Sequence, residues 1–215
     1  MKLDSTTIIL TYNEEIHIRR ALENATSFSS KVYVVDSPST DGTVAICREF
    51  DGVEVVVHPY PGTQAEQFNW ALDNLPVTTE WILRLDADEY LLPELIDELI
   101  EELPTMSPDV SALSLPLARA FMGRRLRHGI VGSVRLVRIF RKGRARSEQR
   151  LMDEHLVVTG GTVVAMDHHF IDDNRLPIGR FIVKHDNYAS REAAMLLLRE
   201  DNPDDDSTHG EALSD

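Results

Sequence analysis

Only one cysteine, Cys47, stands among the 215 residues. A lone thiol excludes an intramolecular disulfide and fits a reducing compartment. Long hydrophobic runs are missing too. No apolar stretch approaches the length of a membrane span, and the opening MKLDSTTIIL lacks the apolar core of a secretory leader. Net positive charge is also absent. The formal charge of -14 argues against a nucleic-acid partner. No Gly-Lys-Ser/Thr phosphate loop occurs, which excludes a Walker-type kinase. A nucleotidyltransferase on a related α/β sheet would carry a Gly-rich loop with Arg or Lys near the N-terminus. Here the first strand runs directly into Thr11-Tyr12-Asn13.

What is present suits one soluble domain with a real core, with apolar residues at 42% and charged residues at 27%. Strand and helix patterns alternate at first. Thr6–Leu10, Val32–Val35, Val53–Val57 and Trp81–Leu85 are short apolar runs of strand type. Between them, Glu14–Ala25, Thr43–Phe50 and Ala65–Leu75 carry helical spacing, and Pro93 opens another helix to about Leu103. This order predicts a doubly wound, mostly parallel sheet with helices on both faces. Ligands would then bind at the carboxyl ends of the strands.

After Leu103 the pattern changes. Ser111–Pro116 and Val134–Phe140 read as strands, and Leu156–Val158 with Thr162–Met166 as a strand pair around Gly160-Gly161. Arg191–Arg199 has helical composition, and the acidic tail is expected to be disordered. The expected division is 1–103 as an α/β half, 104–199 as a second half of the same domain, and 200–215 as the tail. Charge divides unevenly as well. Arg119–Arg150 carries eleven Lys/Arg and one acid, so it stands at +10 against -24 for the remainder. A solvated face is the ordinary meaning of such a run. A basic face toward an anionic acceptor or lipid headgroup is the sharper one.

Three polar turns follow predicted strands: Thr11-Tyr12-Asn13-Glu14, Asp36 to Thr43, and Asp86-Ala87-Asp88-Glu89. Each alone reads as turn chemistry or helix capping. Gathering acids where a hydrophobic strand ends is unfavourable without a compensating cation, and carboxylates suit Mg²⁺ or Mn²⁺.

Together the three turns, in this order and spacing, resemble a family 2 glycosyltransferase with the GT-A fold. His58-Pro59, Gln67-Phe68-Asn69-Trp70, Met152-Asp153-Glu154-His155 and Tyr188-Ala189 further resemble bacterial cell-surface polysaccharide enzymes of the lipopolysaccharide-core and colanic-acid kind. The resemblance implies that Thr11, Tyr12, Asn13 and Glu14 line the nucleotide pocket. Asp36 would contact the base or ribose, and Gln67 and Arg84 would reach the donor. Asp86 would face ribose and metal, Asp88 would be the principal ligand of Mn²⁺ or Mg²⁺, and His168 would add a third ligand. Pro38 departs from the glycine more usual in the family, which removes a backbone donor there.

Inverting transfer needs a carboxylate to take the acceptor proton. Asp153 and Glu154 are the candidates, with Glu154 favoured by resemblance. The implied partners are a nucleotide-sugar donor, UDP-sugar foremost, and a glycan or lipid-linked acceptor. The implied setting is cytoplasmic, peripheral at the inner face of the plasma membrane through the Arg119–Arg150 segment. The alternatives are a non-catalytic nucleotide-sugar-binding domain, against which the acidic set Asp86, Asp88 and Asp153-Glu154 argues, and a nucleotidyltransferase on a related α/β fold.

Overall fold

A computed structural model of the chain describes residues 2–121, 123–128, 134–148 and 155–201. β1 (Leu3–Thr11), α1 (Ile18–Phe28), β2 (Ser29–Asp36), α2 (Thr43–Cys47), β3 (Val53–Val57), α3 (Gln64–Asn74) and β4 (Trp81–Asp86) alternate along the first part. Then come β5 (Glu89–Leu91), α4 (Pro93–Glu102), β6 (Val110–Phe121), β7 (Arg124–Arg125) and β8 (Arg135–Arg141). β9 (Ala145–Ser147), β10 (Leu156–Val158), β11 (Thr162–Ala165), β12 (Phe170–Asn174) and α5 (Ile178–Asp201) complete the chain.

The main sheet runs β3-β2-β1-β4-β8-β6-β12-β5, with β7 and β11 also paired to β6. β3, β2, β1 and β4 are mutually parallel, whereas β8 is antiparallel to both β4 and β6. The expected parallel α/β sheet is therefore present, and it continues unbroken from residues before 103 into those after it. Side chains alternate along its strands, as a pleat requires. Ile9, Val32, Val34, Leu83 and Leu85 face α1, α2 and α4; Ile8, Leu10, Tyr33, Val35 and Ile82 face α3. α1 buries Ile18, Ala21, Leu22, Ala25 and Phe28, one continuous helical stripe.

The register decides where the site lies. Thr11 is opposite Asp36, Asp36 opposite Val57, and Leu10 opposite Asp86. All three polar turns thus leave the sheet at one edge.

Several boundaries differ from expectation for local reasons. α1 begins at Ile18 rather than Glu14 because Asn13 takes a left-handed φ of 55°. The carbonyl of Glu14 then receives the N–H groups of His17 and Ile18, both at 2.9 Å. α2 stops at Cys47, and the N–H groups of Glu49 and Phe50 tighten onto the carbonyls three residues back. α5 spans Ile178–Asp201, far longer than Arg191–Arg199. The tail from 202 onward lies outside the described residues.

The expected β10–β11 pair does not form. β10 pairs antiparallel with β9, and β11 joins β6 in parallel. Gly160 and Gly161 have φ of 68° and 71°, and these consecutive left-handed residues separate the strands instead of closing a hairpin. At Gly161 an added Cβ would lie 2.1 Å from Ser111 Oγ and 2.5 Å from the carbonyl oxygen of Asp109.

Two tests follow from this packing. Gly161→Ala should destabilise the protein by ~1–3 kcal/mol beyond Gly143→Ala, because both replace a left-handed glycine but only Gly161 meets a neighbouring backbone. Paired urea titrations measure the difference, and equal losses would contradict the close approach. Cys47 is fully buried, and burial, with Asp36 nearby, pushes its thiol up to about 11. It should resist an aromatic disulfide reagent at pH 8 in the native protein and react stoichiometrically in denaturant.

Candidate active site

The turns after β1 and β2 are knitted into one structure. Asp36 is completely buried and accepts three hydrogen bonds. They come from Thr11 Oγ1 at 2.9 Å, Ser39 N at 2.8 Å and Ser39 Oγ at 2.6 Å. Ser39 Oγ in turn accepts from the N–H of Asn13 at 2.8 Å, and Asn13 Oδ1 accepts from the N–H of Thr40 at 2.8 Å. Glu14 N donates to Thr43 Oγ1 at 2.8 Å. Asp41 Oδ2 takes the N–H of Glu15 at 3.1 Å, and Glu15 Oε2 takes that of Gly42 at 2.9 Å. Every polar residue of these turns answers another across the gap. Above this lattice Tyr12 is 61% exposed, an aromatic face left free beside the turn.

Gln67 and Arg84 both lie inside the protein. Gln67 Nε2 donates to Ser37 Oγ and to the carbonyl of His58, each at 3.2 Å, and its Oε1 meets His58 Nδ1 at 2.7 Å. The His58 ring stacks on Trp70 at 3.8 Å. Gln67 therefore braces the β2 and β3 turns from α3. Arg84 lies across the Phe68 ring and donates to Ser147 Oγ at 3.0 Å. Asn69 fixes the same serine through both backbone groups, at 2.8 and 3.0 Å. The Gln67–Trp70 stretch thus serves the β2–β3 turns with one residue and β9 with another.

The acidic corner is the third part. Asp86 and Glu89 share a cation, Arg138 of β8. Its Nη2 pairs with Glu89 Oε1 and lies 3.8 Å from Asp86 Oδ2. Glu89 Oε2 accepts from the N–H of Asp86 at 3.0 Å, so the turn after β4 is closed by its own carboxylate. Burial pushes the Glu89 carboxyl above its ordinary value, Arg138 pulls it down, and Asp86 and Asp88 push it up again. Asp88 is approached from β12. Asn174 Nδ2 donates to its Oδ2 at 3.0 Å, and the N–H of Asp173 donates to its carbonyl at 3.0 Å. Arg20 of α1 donates to that carbonyl at 3.2 Å and pairs with Asp173. Two carboxylate oxygens are left over, Oδ1 of Asp173, whose Oδ2 is held by Arg20 and Arg175, and one at the end of β4. Asp86 Oδ1 is buried and has no hydrogen-bond partner among the described residues.

A buried bare carboxylate oxygen at a strand end suits a cation or a ligand hydroxyl, because otherwise its desolvation goes uncompensated. Among the described residues no three His, Cys, Asp or Glu side chains are grouped to hold an ion unaided. Mg²⁺ and Mn²⁺ do not need that: one or two carboxylates, with waters and substrate phosphates, complete their shell. Asp86 and Asp88 fit such a group.

With this geometry in view the comparisons are informative. The family model described as Glycosyl transferase family 2 matches residues 6–173. The chain belongs to glycosyl transferase family 2. The lipopolysaccharide core biosynthesis glycosyltransferase LpsC of Rhizobium meliloti is 25% identical over 197 residues, covering 89% of this chain and 71% of LpsC. An uncharacterized glycosyltransferase of Rickettsia typhi is 37% identical over 94 residues, 44% of this chain but 31% of the relative's own length. Among solved structures, S. aureus TarS 1–349 superimposes with a TM-score of 0.58 at 17% identity, covering 80% of this chain and 60% of that one. That likeness shows the GT-A fold.

Within this family 2 domain one expectation needs correction. His168 does not join Asp86 and Asp88. It lies beyond Leu92, on the far side of β12, where its N–H and Nδ1 meet Glu98 Oε2 of α4 at 3.1 and 3.0 Å. Asp173, beside Asp88, is five residues away, roughly 15 Å along an extended chain. Against the burial that raises it, the N–H groups of Asp167 and His168 hold the Glu98 carboxyl below its ordinary value. Among the described residues of the basic segment the cations divide into buried, paired and exposed ones. Arg138 is buried, Arg141 pairs with Glu80, Arg146 with Asp73 and Arg119 with Asp172. Arg124, Arg125 and Arg127 are exposed. Asp153 and Glu154 lie outside the described residues, between Glu148 and His155, whose backbones bond across β9 and β10 at 2.9 Å.

Arg138, Arg20, Asp173 and Asn174 were not singled out by motif. Removing the first should be costly. Arg138→Met should destabilise the protein by ~1–3 kcal/mol, since it takes the donor from the buried Glu89 and leaves that carboxyl and Asp86 without their shared cation. Adding Glu89→Gln should recover a large part, as denaturant unfolding of the single and double variants would show.

Proposed function

We propose that this domain carries out inverting, metal-dependent transfer of a sugar from a nucleoside-diphosphate donor, UDP-sugar foremost, to a hydroxyl of a glycan or glycolipid acceptor. The observation that carries it is the bare, buried Asp86 Oδ1 beside Asp88, at the sheet edge where the Thr11–Glu14 and Asp36–Thr43 turns emerge. Membership of the family and the length over which LpsC aligns support placing the activity in bacterial cell-surface polysaccharide synthesis.

Asp86 and Asp88 would hold Mn²⁺ or Mg²⁺. When bound, such an ion offsets the charge that develops on the departing diphosphate. The chain's own residues do the rest. Thr11, Tyr12, Asn13 and Glu14 bound the nucleotide pocket, and Tyr12 is exposed to meet a base. Asp36 shapes that pocket from beneath through Thr11 and Ser39. Gln67 and Arg84 act at one remove, by bracing the turns and β9. Arg138 keeps Glu89 and Asp86 together at the end of β4. Glu154 or Asp153 takes the acceptor proton as the acceptor oxygen attacks the anomeric carbon, and the sugar–phosphate bond breaks toward the opposite side. Among the described residues no helix is long and apolar enough to cross a membrane. Membrane contact would instead be peripheral, on the cytoplasmic side, and Arg124, Arg125 and Arg127 are the exposed cations of the basic segment that could supply it.

Nucleoside diphosphates with Mn²⁺ should raise the melting temperature of the wild-type chain, as ligands selective for the native state do. Asp88→Asn should abolish the metal-dependent part of that shift and cut donor turnover on the order of a hundredfold with the fold intact. His168→Ala should leave the metal requirement unchanged. A wild-type chain that no diphosphate stabilises, or an Asp88→Asn chain with full turnover, would overturn the assignment.

A further inference from the structure

His17 is a histidine at the head of α1, 1% exposed, and both its ring nitrogens are engaged. Its Nδ1 lies 2.5 Å from Glu14 Oε2, and its Nε2 receives the backbone N–H of Arg175 at 2.9 Å. A nitrogen that accepts an N–H must itself be bare, and a carboxylate only accepts. The two contacts therefore fix one state: neutral imidazole, proton on Nδ1, lone pair on Nε2.

The two partners belong to different parts of the site. Glu14 ends the turn that bounds the nucleotide pocket, and its own N–H is tied to Thr43. Arg175 follows Asn174, whose Nδ2 holds Asp88 Oδ2 at 3.0 Å. Asn174 is aimed in turn by the N–H of Leu176, which donates to its Oδ1 at 3.0 Å. Arg175 Nε reaches back to Asp173 Oδ2 at 3.0 Å, and Asp173 is clamped by Arg20. The imidazole is thus a rigid spacer between the donor turn and the short segment that aims the Asp88 carboxylate. α1 supplies it from outside both.

We propose that His17 is a positioning residue, which as the Nδ1-protonated neutral ring couples the donor turn at Glu14 to the β12 end that orients Asp88. This rests on the reading of Asp88 as a ligand for the donor complex. Two isosteric variants separate the arms of the tie. Asparagine places its amide where Nδ1 stands, keeping a donor toward Glu14 and losing the acceptor for Arg175. Glutamine reaches the Nε2 position and can still accept from Arg175, while the Glu14 contact goes.

The proton's place is read first, by two-bond ¹H–¹⁵N correlation on the ¹⁵N-histidine-labelled 215-residue chain without substrate. One neutral ring should carry its proton on Nδ1, and that pattern should vanish in His17→Asn. In donor turnover with Mn²⁺, His17→Asn should lower kcat about tenfold at saturating donor. His17→Gln should keep kcat within about twofold of wild type and raise the KM for donor instead. A ring 17 protonated on Nε2, or the same kcat and KM in wild type and both variants, overturns the proposal. Absence of turnover by the wild-type chain would instead overturn the transfer reading, which the substrate-free spectrum does not depend on.

Discussion

Two carboxylates, Asp86 and Glu89, stand at the end of β4 because a guanidinium stands across from them. Arg138 reaches Glu89 and Asp86 from β8, a strand antiparallel to β4. Burial already pushes the Glu89 carboxyl above its ordinary value, and Arg138 pulls against that shift. The second half of the chain therefore does more than extend the sheet. It delivers the cation that lets the first half end a hydrophobic strand in acids. Glu89 is consumed by this arrangement, bonded at one oxygen to Arg138 and at the other to the N–H of Asp86. Asp86 is aimed by it and keeps an oxygen for something else.

β12 does for Asp88 what β8 does for Asp86. Asn174 bonds the carboxylate, Asp173 bonds the backbone, and Arg20 closes the corner from α1. The two acids of the Asp-Ala-Asp turn are therefore set independently, by separate strands brought alongside β4 and β5. This also explains why the corner tolerates so much charge. Arg20, Arg138 and Arg175 face Asp86, Glu89 and Asp173; Arg20 is shared with two backbone carbonyls, Arg138 with a second carboxylate, and Arg175 adds to Arg20 at Asp173.

The parallel half of the fold was legible because its strands contain mostly apolar runs of four or five residues and its helices carry helical spacing of apolar residues. The three turns were legible because strand ends are where such sheets bind ligands. Arg138 was harder to see, being one of eleven cations in a basic stretch. Its signal was local: a cation between Val137 and Ile139 in an otherwise apolar strand, just as Arg84 sits between Leu83 and Leu85. Such a residue either ends a strand or is buried with a partner, and here both are buried. β5 and β12 had no such signal, because Glu89–Leu91 and Phe170–Asn174 are short and polar and exist as strands only through each other and β6. His168 misled because residue type and order carry no information about which end of a strand a side chain occupies. The same blindness hid His17, whose role comes from the fold returning residue 175 to the head of α1.

Asp36 and Asp86 end the two strands that flank β1, at nearly the same level, yet their environments differ in kind. Asp36 receives three donors from Thr11 and Ser39, so its charge is answered within the protein. Asp86 has a distant guanidinium at one oxygen and nothing at the other. A buried acceptor without a partner costs ~1–3 kcal/mol, and a fold can remove that cost simply by placing a serine or a backbone N–H nearby, as it does for Asp36. The contrast separates two uses of the same residue type. On the proposed reading the satisfied Asp36 builds the pocket wall and Asp86 faces what the pocket holds, whereas Asp173, bare at Oδ1 as well, is held at Oδ2 by Arg20 and Arg175.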